Sequence, residues 1–407
     1  MGMAAEPSNE DPVAHLRRTT RFSGAHFSDR DDEDGRGELV QLILCSQDEW
    51  DDHEWGEVLL LINEETCRRR LGVEHRLPLH WATCAKRHVP ENVVRAMVEA
   101  YPEACHQRDG YGALPLHGAV ANGRSLEIVD LLVDQFPRAC RVADGYYNLL
   151  PLQLAAVHRA SAPVLNAVLQ RYPRACSRAD LAGRLPLHLA IENGVEELAI
   201  LKLIEVYPKA CRKQDKATHL PLHTACKSAA SPGVVHALLK AKGASHAIST
   251  PDRDGRLPLH WAACHKKTAL ESARRLVDAY LEALSVKDAK WNLPLHLAVM
   301  SKCPGKLVKL LTVAHPGAAA VPDPLGRLPI HWAALTAGKL EVCEPLLEAH
   351  AAGVRVKDHE GRLPLHWAMS HRAPLEVMAR LQNDFPRGRR MKDKFGMTPH
   401  SPPEGML

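Results

Sequence analysis

Apolar residues recur along this chain at the spacing of amphipathic helices, in short bursts punctuated by proline and glycine. Leu126, Val129, Leu132 and Val133 share one helical face, and Glu127, Asp130 and Asp134 share another. That helix is predicted to end at Phe136, because Pro137 follows and disfavours helical backbone before it. A second, shorter kind of apolar stretch begins with proline. Proline has no N–H and a fixed φ, so it suits the first position of a helix. Pro258 is expected to open such a helix, with His260 as its third residue. Asp-x-x-Gly segments then turn the chain back, the glycine supplying φ > 0. Nearer the N-terminus, Trp55, Val58, Leu59 and Ile62 line a further helical face, and Cys67 follows.

These elements recur at a fixed period. The phrase Arg256-Leu257-Pro258-Leu259-His260-Trp261-Ala262 returns at Arg327–Ala333 and Arg362–Ala368. Weaker copies start at Leu77, Leu114, Leu150, Leu185, Leu220 and Leu293, and a broken one sits at Thr398-Pro399-His400. Successive starts are 37, 36, 35, 35, 37, 36, 35 and 35 residues apart, the signature of a stacked repeat array. Each repeat reads as two antiparallel helices and a projecting loop. None buries its apolar face alone, so neighbours must stack.

The phrase resembles the Thr-Pro-Leu-His signature of ankyrin repeats. An Asp stands five residues before the first Leu (Asp109, Asp180, Asp252, Asp323, Asp358), and a Gly three after that Asp (Gly112, Gly183, Gly255, Gly326, Gly361). Asn122-Gly123 and Asn193-Gly194 match the family's Asn-Gly turn. The resemblance covers roughly residues 38–400 and implies an all-α, ankyrin-type helical repeat solenoid with short projecting loops. Two departures stand out. The period exceeds the family's 33 residues, and the extra residues are assigned to turns, one between the paired helices and one after Tyr-Pro. Leu also replaces Thr in every full copy, an expected loss of about 1 kcal/mol of helix capping per repeat.

Residues 1–37 read as a disordered polar tail, 38–72 as a degenerate capping repeat, 73–396 as nine repeats, and 397–407 as a truncated repeat and tail. The third repeat has Gln153 in place of His and one extra loop residue. The fifth and seventh replace the loop glycine with Thr218 and Trp291.

Composition narrows the function. The 407 residues are 45% hydrophobic and 25% charged, as in globular proteins. A net charge of +4 does not argue for nucleic acid. Cys105, Cys140, Cys176 and Cys211 occupy equivalent positions, which stacking holds beyond the roughly 7 Å Cα limit of a disulfide. They are expected to be reduced and buried, as in an intracellular protein, cytoplasmic or nuclear. Met1–Arg18 does not read as a signal peptide, and Glu6 stands where myristoylation wants Ser or Thr. The apolar run Val58–Ile62 is too short to span a membrane.

One His per repeat (His80, His117, His188, His223, His260, His296, His331, His366) suggests metal or catalytic chemistry. Neighbours about 10 Å apart cannot share a zinc ion bound near 2 Å. A structural role is expected instead, a ring nitrogen bonding the adjoining loop. The set His80, Cys84 and His88 shares one helical side but lacks a carboxylate to complete a metal site. Phosphate-loop, zinc-protease, hydrolase and kinase motifs are absent, so no catalytic, cofactor-binding or metal residues are assigned.

The resemblance implies protein binding, as a monomeric scaffold or adaptor, through a concave surface of loop tips and first-helix ends. The tips are Tyr111, Tyr146, Tyr147, Arg184, His219, Arg256, Trp291, Arg327 and Arg362; the helix positions are Asn122, His158, Asn193, His265 and His371. Tyr, Trp and Arg are enriched at binding hot spots. The distribution predicts an aromatic anchor near one end and a basic track beyond it, suited to an acidic partner. Nucleic acid held by that track and by Arg387–Lys394 is the alternative. The Trp of Leu-His-Trp (Trp81, Trp261, Trp332, Trp367) is read as core.

Overall fold

The computed structural model describes residues 39–40, 43, 52–72, 74–85, 89–242, 244–265, 270–336 and 338–399. The expected tail 1–37, most of 38–51, His88 and His400 onward lie outside the described residues. The chain divides into an N-terminal unit, to Tyr207, and a C-terminal unit, from Pro208. Each is an all-α stack of helical repeats.

Every inner helix opens with the expected proline. Pro78–Cys84, Pro115–Ala121, Pro151–Val157 and Pro186–Asn193 stack in the N-terminal unit. Pro221–Lys227, Pro258–Cys264, Pro294–Met300, Pro329–Leu335 and Pro364–Ser370 stack in the other. Helices of about seven residues are marginal in isolation, so their stability comes from packing. The two leucines of Leu257-Pro258-Leu259, for instance, are almost fully buried. The outer helices run nine or ten residues, as in Leu126–Gln135, where Ile128, Val129, Leu132 and Val133 form the buried face. This helix is capped at Phe136, as the following proline predicts.

The length beyond 33 residues has a definite shape. After Tyr-Pro or its equivalent, a single 3-10 turn carries small or apolar residues inward: Ala and Cys in the first four, as in Pro102–His106 and Pro137–Arg141, and pairs such as Ala283 and Leu284 or Gly353 and Val354 later. Cys105, Cys140, Cys176 and Cys211 are buried free thiols there, and burial raises them to about 12, 11, 11 and 11. The fifth repeat departs, closing with the α-helix Ala244–Ser249, which buries Ala247 and Ile248.

At the N-terminal edge, Asp52–Leu61 packs on the outer helix Glu91–Ala100, and Glu64–Arg68 on Pro78–Cys84. Among the described residues no helix is long and apolar enough to cross a membrane.

Candidate functional site

The histidine ladder braces the loops. Nδ1 of His260 accepts the N–H of Leu257 at 3.1 Å, so it carries no proton. Nε2 must then hold the hydrogen, and it donates to the Val286 carbonyl at 3.1 Å, tying the inner helix to the next loop. The pattern recurs at His117 (Leu114 N–H and Val142 carbonyl), His296 and His331. The histidine thus covers one of the two bonds of a Thr-containing capping box, and the helix start is only half uncapped. Burial lowers His80, His223, His260, His296 and His331 to about 4. Gln153 reproduces the geometry without a titrating group. Its Oε1 accepts the Leu150 N–H at 2.9 Å, and its Nε2 donates to the Arg178 carbonyl at 3.3 Å.

Each projecting loop is built on its aspartate. Asp358 Oδ1 accepts the N–H groups of Glu360 and Arg362. Its Oδ2 accepts from Arg362 Nε at 3.3 Å and Trp367 Nε1 at 2.9 Å. The Arg362 guanidinium also stacks 3.7 Å from the Trp367 ring centre. Asp323, Arg327 and Trp332 repeat the arrangement, with the guanidinium 4.0 Å from the ring. Around Trp261 the pairing is displaced: its indole bonds Asp252, while Arg256 stacks on it and reaches the next loop's Asp288 at 3.5 Å. Arg76 likewise pairs with the next loop's Asp109 at 3.1 Å.

These contacts correct two expectations. Trp81 is buried, but Trp261, Trp332 and Trp367 are only half-buried, because the indole N–H turns outward to a loop carboxylate. Nor do the arginines form an open basic track. Arg184 is buried between Asp180 and Glu192, and Arg256, Arg327 and Arg362 lie on carboxylates. Asn193 is also buried, its amide turned back on the Leu189 carbonyl.

The other expected surface residues fall in different surroundings. His219 lies 3.7 Å from Asp215 and 3.5 Å from Asp252. Burial works against its charge, but the two carboxylates outweigh it and raise the ring to about 9. Trp291 is 61% exposed at φ +64°, the left-handed position that glycine fills in most loops, with Lys287 over its ring. Asn122 bonds the Gly118 carbonyl, His265 is half-buried, and His371 is exposed beside Trp367. The run Arg387–Lys394 occupies an exposed 3-10 turn and loop.

Three of the expected surface residues, Tyr111, Tyr146 and Tyr147, lie together in the N-terminal unit. Tyr111 and Tyr146, 41% and 60% exposed, meet edge to face at 5.9 Å, and Tyr147 packs on Tyr146 at 4.4 Å. They rim a pocket of about 210 Å³ that reaches down to His158 and Leu154. Its wall carries three carboxylates, Glu74, Asp109 and Asp144, and no lysine or arginine. Three histidines also line it, and burial lowers all of them: His80 to about 4, and His117 and His158 likewise downward. Nε2 of His158 is buried and has no hydrogen-bond partner among the described residues.

The pocket lies where two successive repeats, two and three, lack the Arg and Trp found in repeats one, six, eight and nine; repeats five and seven, each flanked by arginine-bearing repeats, lack both as well (His219 and Thr224, Asn292 and Leu297). Where those four place Arg before Leu, repeats two and three have Ala113 and Leu149; where they place Trp after His, repeats two and three have Gly118 and Leu154. A Cβ on Gly118 would lie 2.5 Å from Cys84 Sγ, so no larger residue enters there without a shift. Glu74, Asp144, Ala113 and Gly118 were not singled out from the sequence, and Asp109 only as a turn residue. Aligning the repeats on one another, and asking where Arg and Trp are missing from two in succession, is the signal that finds Ala113, Gly118 and Asp144.

Among the described residues no group of three or more His, Cys, Asp or Glu side chains is arranged to hold a metal ion. Family models described as ankyrin repeats in three copies match residues 187–288 and 295–385. A model described as ankyrin repeats in many copies matches 97–155. No curated protein matches the chain. Among solved structures, the chain is similar to the ankyrin repeat domain of Bcl-3, described as a unique member of the IkappaB protein family. The two share 24% identity over 53% of this chain and 92% of that one, with a TM-score of 0.44.

Proposed function

We propose that this chain, which belongs to the ankyrin-repeat family, is a non-catalytic scaffold or adaptor that holds a protein partner on the loop tips of its N-terminal unit. Ankyrin repeats generally mediate protein–protein interaction. The observation that carries the reading is the tyrosine-rimmed pocket at Tyr111, Tyr146 and Tyr147. Exposed tyrosines bring large contact area at low conformational entropy, and a concave site with a few convergent polar groups is the usual form of a binding site. The loops beneath are tied by Asp and His hydrogen bonds, so little ordering remains to oppose association.

The acidic partner expected from an arginine track has little to bind in the arginines themselves, since their charges are met by loop carboxylates. The same pairing removes the support for nucleic acid along that track.

The test is affinity capture with the whole chain beside a Tyr111→Ala/Tyr146→Ala/Tyr147→Ala variant, partners being identified by mass spectrometry. Partners lost with the variant support the reading. Identical partners with both baits contradict it.

A further inference from the structure

Every interior loop aspartate but one has a cationic side chain on it. Asp109 has Arg76, Asp180 has Arg184, Asp288 has Arg256, Asp323 has Arg327 and Asp358 has Arg362. Asp215 and Asp252 share His219. Asp144 carries no ion pair among the described residues. Its Oδ1 accepts the N–H groups of Tyr147 and Leu149, which fixes the loop. Its carboxylate also lines the tyrosine-rimmed pocket.

The reason lies in the repeat register. An arginine reaches a loop aspartate from one of two places. It comes from the same loop, four residues on, as Arg327 does, or from the loop before, as Arg76 and Arg256 do. For Asp144 these places are Leu149, displaced by the extra loop residue, and Ala113. Both are apolar. A carboxylate that elsewhere receives a guanidinium here faces an open pocket, and the tryptophan on which that guanidinium would stack is replaced by Gly118 and Leu154.

We infer that the pocket takes an arginine side chain from the protein partner, seated where the chain's own arginine sits in five of its other repeats. The inference rests on the protein-binding reading above and names the partner's chemistry: a basic segment that presents arginine. The guanidinium would bond the Asp144 carboxylate and stack on the tyrosine rim, while its methylene stem lies along Leu154. Aromatic faces attract cations, and arginine more than lysine joins stacking to forked bonding of a carboxylate. The protein already assembles this chemistry beside the pocket, behind two of its wall carboxylates. Arg76 lies over Trp81 at 5.0 Å and Tyr111 at 5.8 Å while it pairs with Asp109 and Glu74. That arginine offsets one of the three wall carboxylates and leaves the wall acidic. Its acidity is the reverse of what an acidic partner needs. At about 210 Å³ the pocket is below the usual drug-sized range of roughly 300–1,000 Å³ and suits a single side chain.

The test uses the full chain and a fluorescently labelled Gly-Ser peptide bearing one arginine. Citrulline and lysine peptides serve as isosteric and charge controls. Binding is read by anisotropy up to millimolar peptide. The expected result is that the arginine peptide binds about tenfold or more tightly than the citrulline peptide, which has the shape without the charge. Lysine is expected between them. Ala113→Arg, which offers the pocket an arginine from within, is expected to weaken the arginine peptide by about tenfold. Because Asp144→Asn also loosens its loop, Ala113→Arg is the deciding variant, and its fold is checked by circular dichroism. Equal binding of arginine and citrulline peptides, no binding of either, or unchanged binding by Ala113→Arg would overturn the inference. Such a result beside partners lost from the triple tyrosine variant would leave the protein-binding reading standing. Retention of those partners would remove both.

Discussion

The loop at Asp358 and the loop at Asp144 share one backbone plan and differ in what fills it. In the first, Arg362 and Trp367 close over the carboxylate, and the cleft is occupied by the chain itself. In the second, Leu149 and Leu154 stand at those positions, Ala113 and Gly118 precede them, and a pocket opens. The aspartate serves both loops equally as an acceptor of two backbone N–H groups. Its first oxygen therefore does the same structural work in both loops. What meets its second oxygen is free to vary, and there the repeats specialise. Under the proposal above, stability and recognition are divided between two atoms of one side chain.

The largest expected effect separates the two loops. Asp358→Ala removes two backbone bonds, an indole bond and one carboxylate partner of the half-buried Arg362, and is expected to cost about 2–4 kcal/mol. Asp144→Ala removes only the backbone bonds, about 1–3 kcal/mol. Urea unfolding of both variants measures the gap; equal losses would mean that the Arg–Trp filling contributes nothing.

Next comes the contrast between His260 and Gln153. The folded-state pKa of His260 is depressed to about 4, against an unfolded value near 6.5. Its stabilisation is therefore complete above pH 6.5 and is lost as pH falls towards 4. At pH 5.5 each such histidine is expected to forfeit on the order of 1–1.5 kcal/mol. Urea midpoints should drop between pH 7.5 and 5.5, and His260→Gln should shrink the drop. Unchanged midpoints across that range would refute the bracing role. His219 runs the other way. Its raised pKa of about 9 gives stabilisation that is full below pH 6.5 and lost as pH rises through 9.

The smallest effect compares glycine with tryptophan at the loop tip. Gly112 and Gly183 take φ of +73° and +78° without strain, whereas Trp291 is held at +64°. Trp291→Gly is expected to raise the thermal midpoint, by up to about 1 kcal/mol of stability. A lower midpoint would show that the exposed ring, with Lys287 above it, stabilises more than its backbone costs.

Much of this was legible in the sequence because it is local. The period, the proline that opens each inner helix, the proline that ends each outer one and the Asp-x-x-Gly turn all follow from backbone preferences of neighbouring residues. The partnerships were harder to read because they join residues some 35 positions apart. Nothing local says that Arg76 and Arg256 pair with the next loop while Arg327 and Arg362 pair with their own. Trp367 reads as core from its place beside His366, yet its N–H has to leave the apolar interior and takes Asp358. Leu in place of Thr suggests a lost cap, but the histidine ring already holds the N–H at the helix start. The 3-10 turn after Tyr-Pro was legible only as surplus length. Of the candidate site, the tyrosines were found by residue type. The pocket beneath them was missed because it is defined by residues that are small.

A crystal structure of Ala113→Arg tests the central claim most directly. If the pocket is a vacated arginine place, the new guanidinium will lie within hydrogen-bond distance of Asp144, stacked on the tyrosine rim, with the cavity closed. An arginine at 113 pointing into solvent above an unchanged cavity would contradict the account.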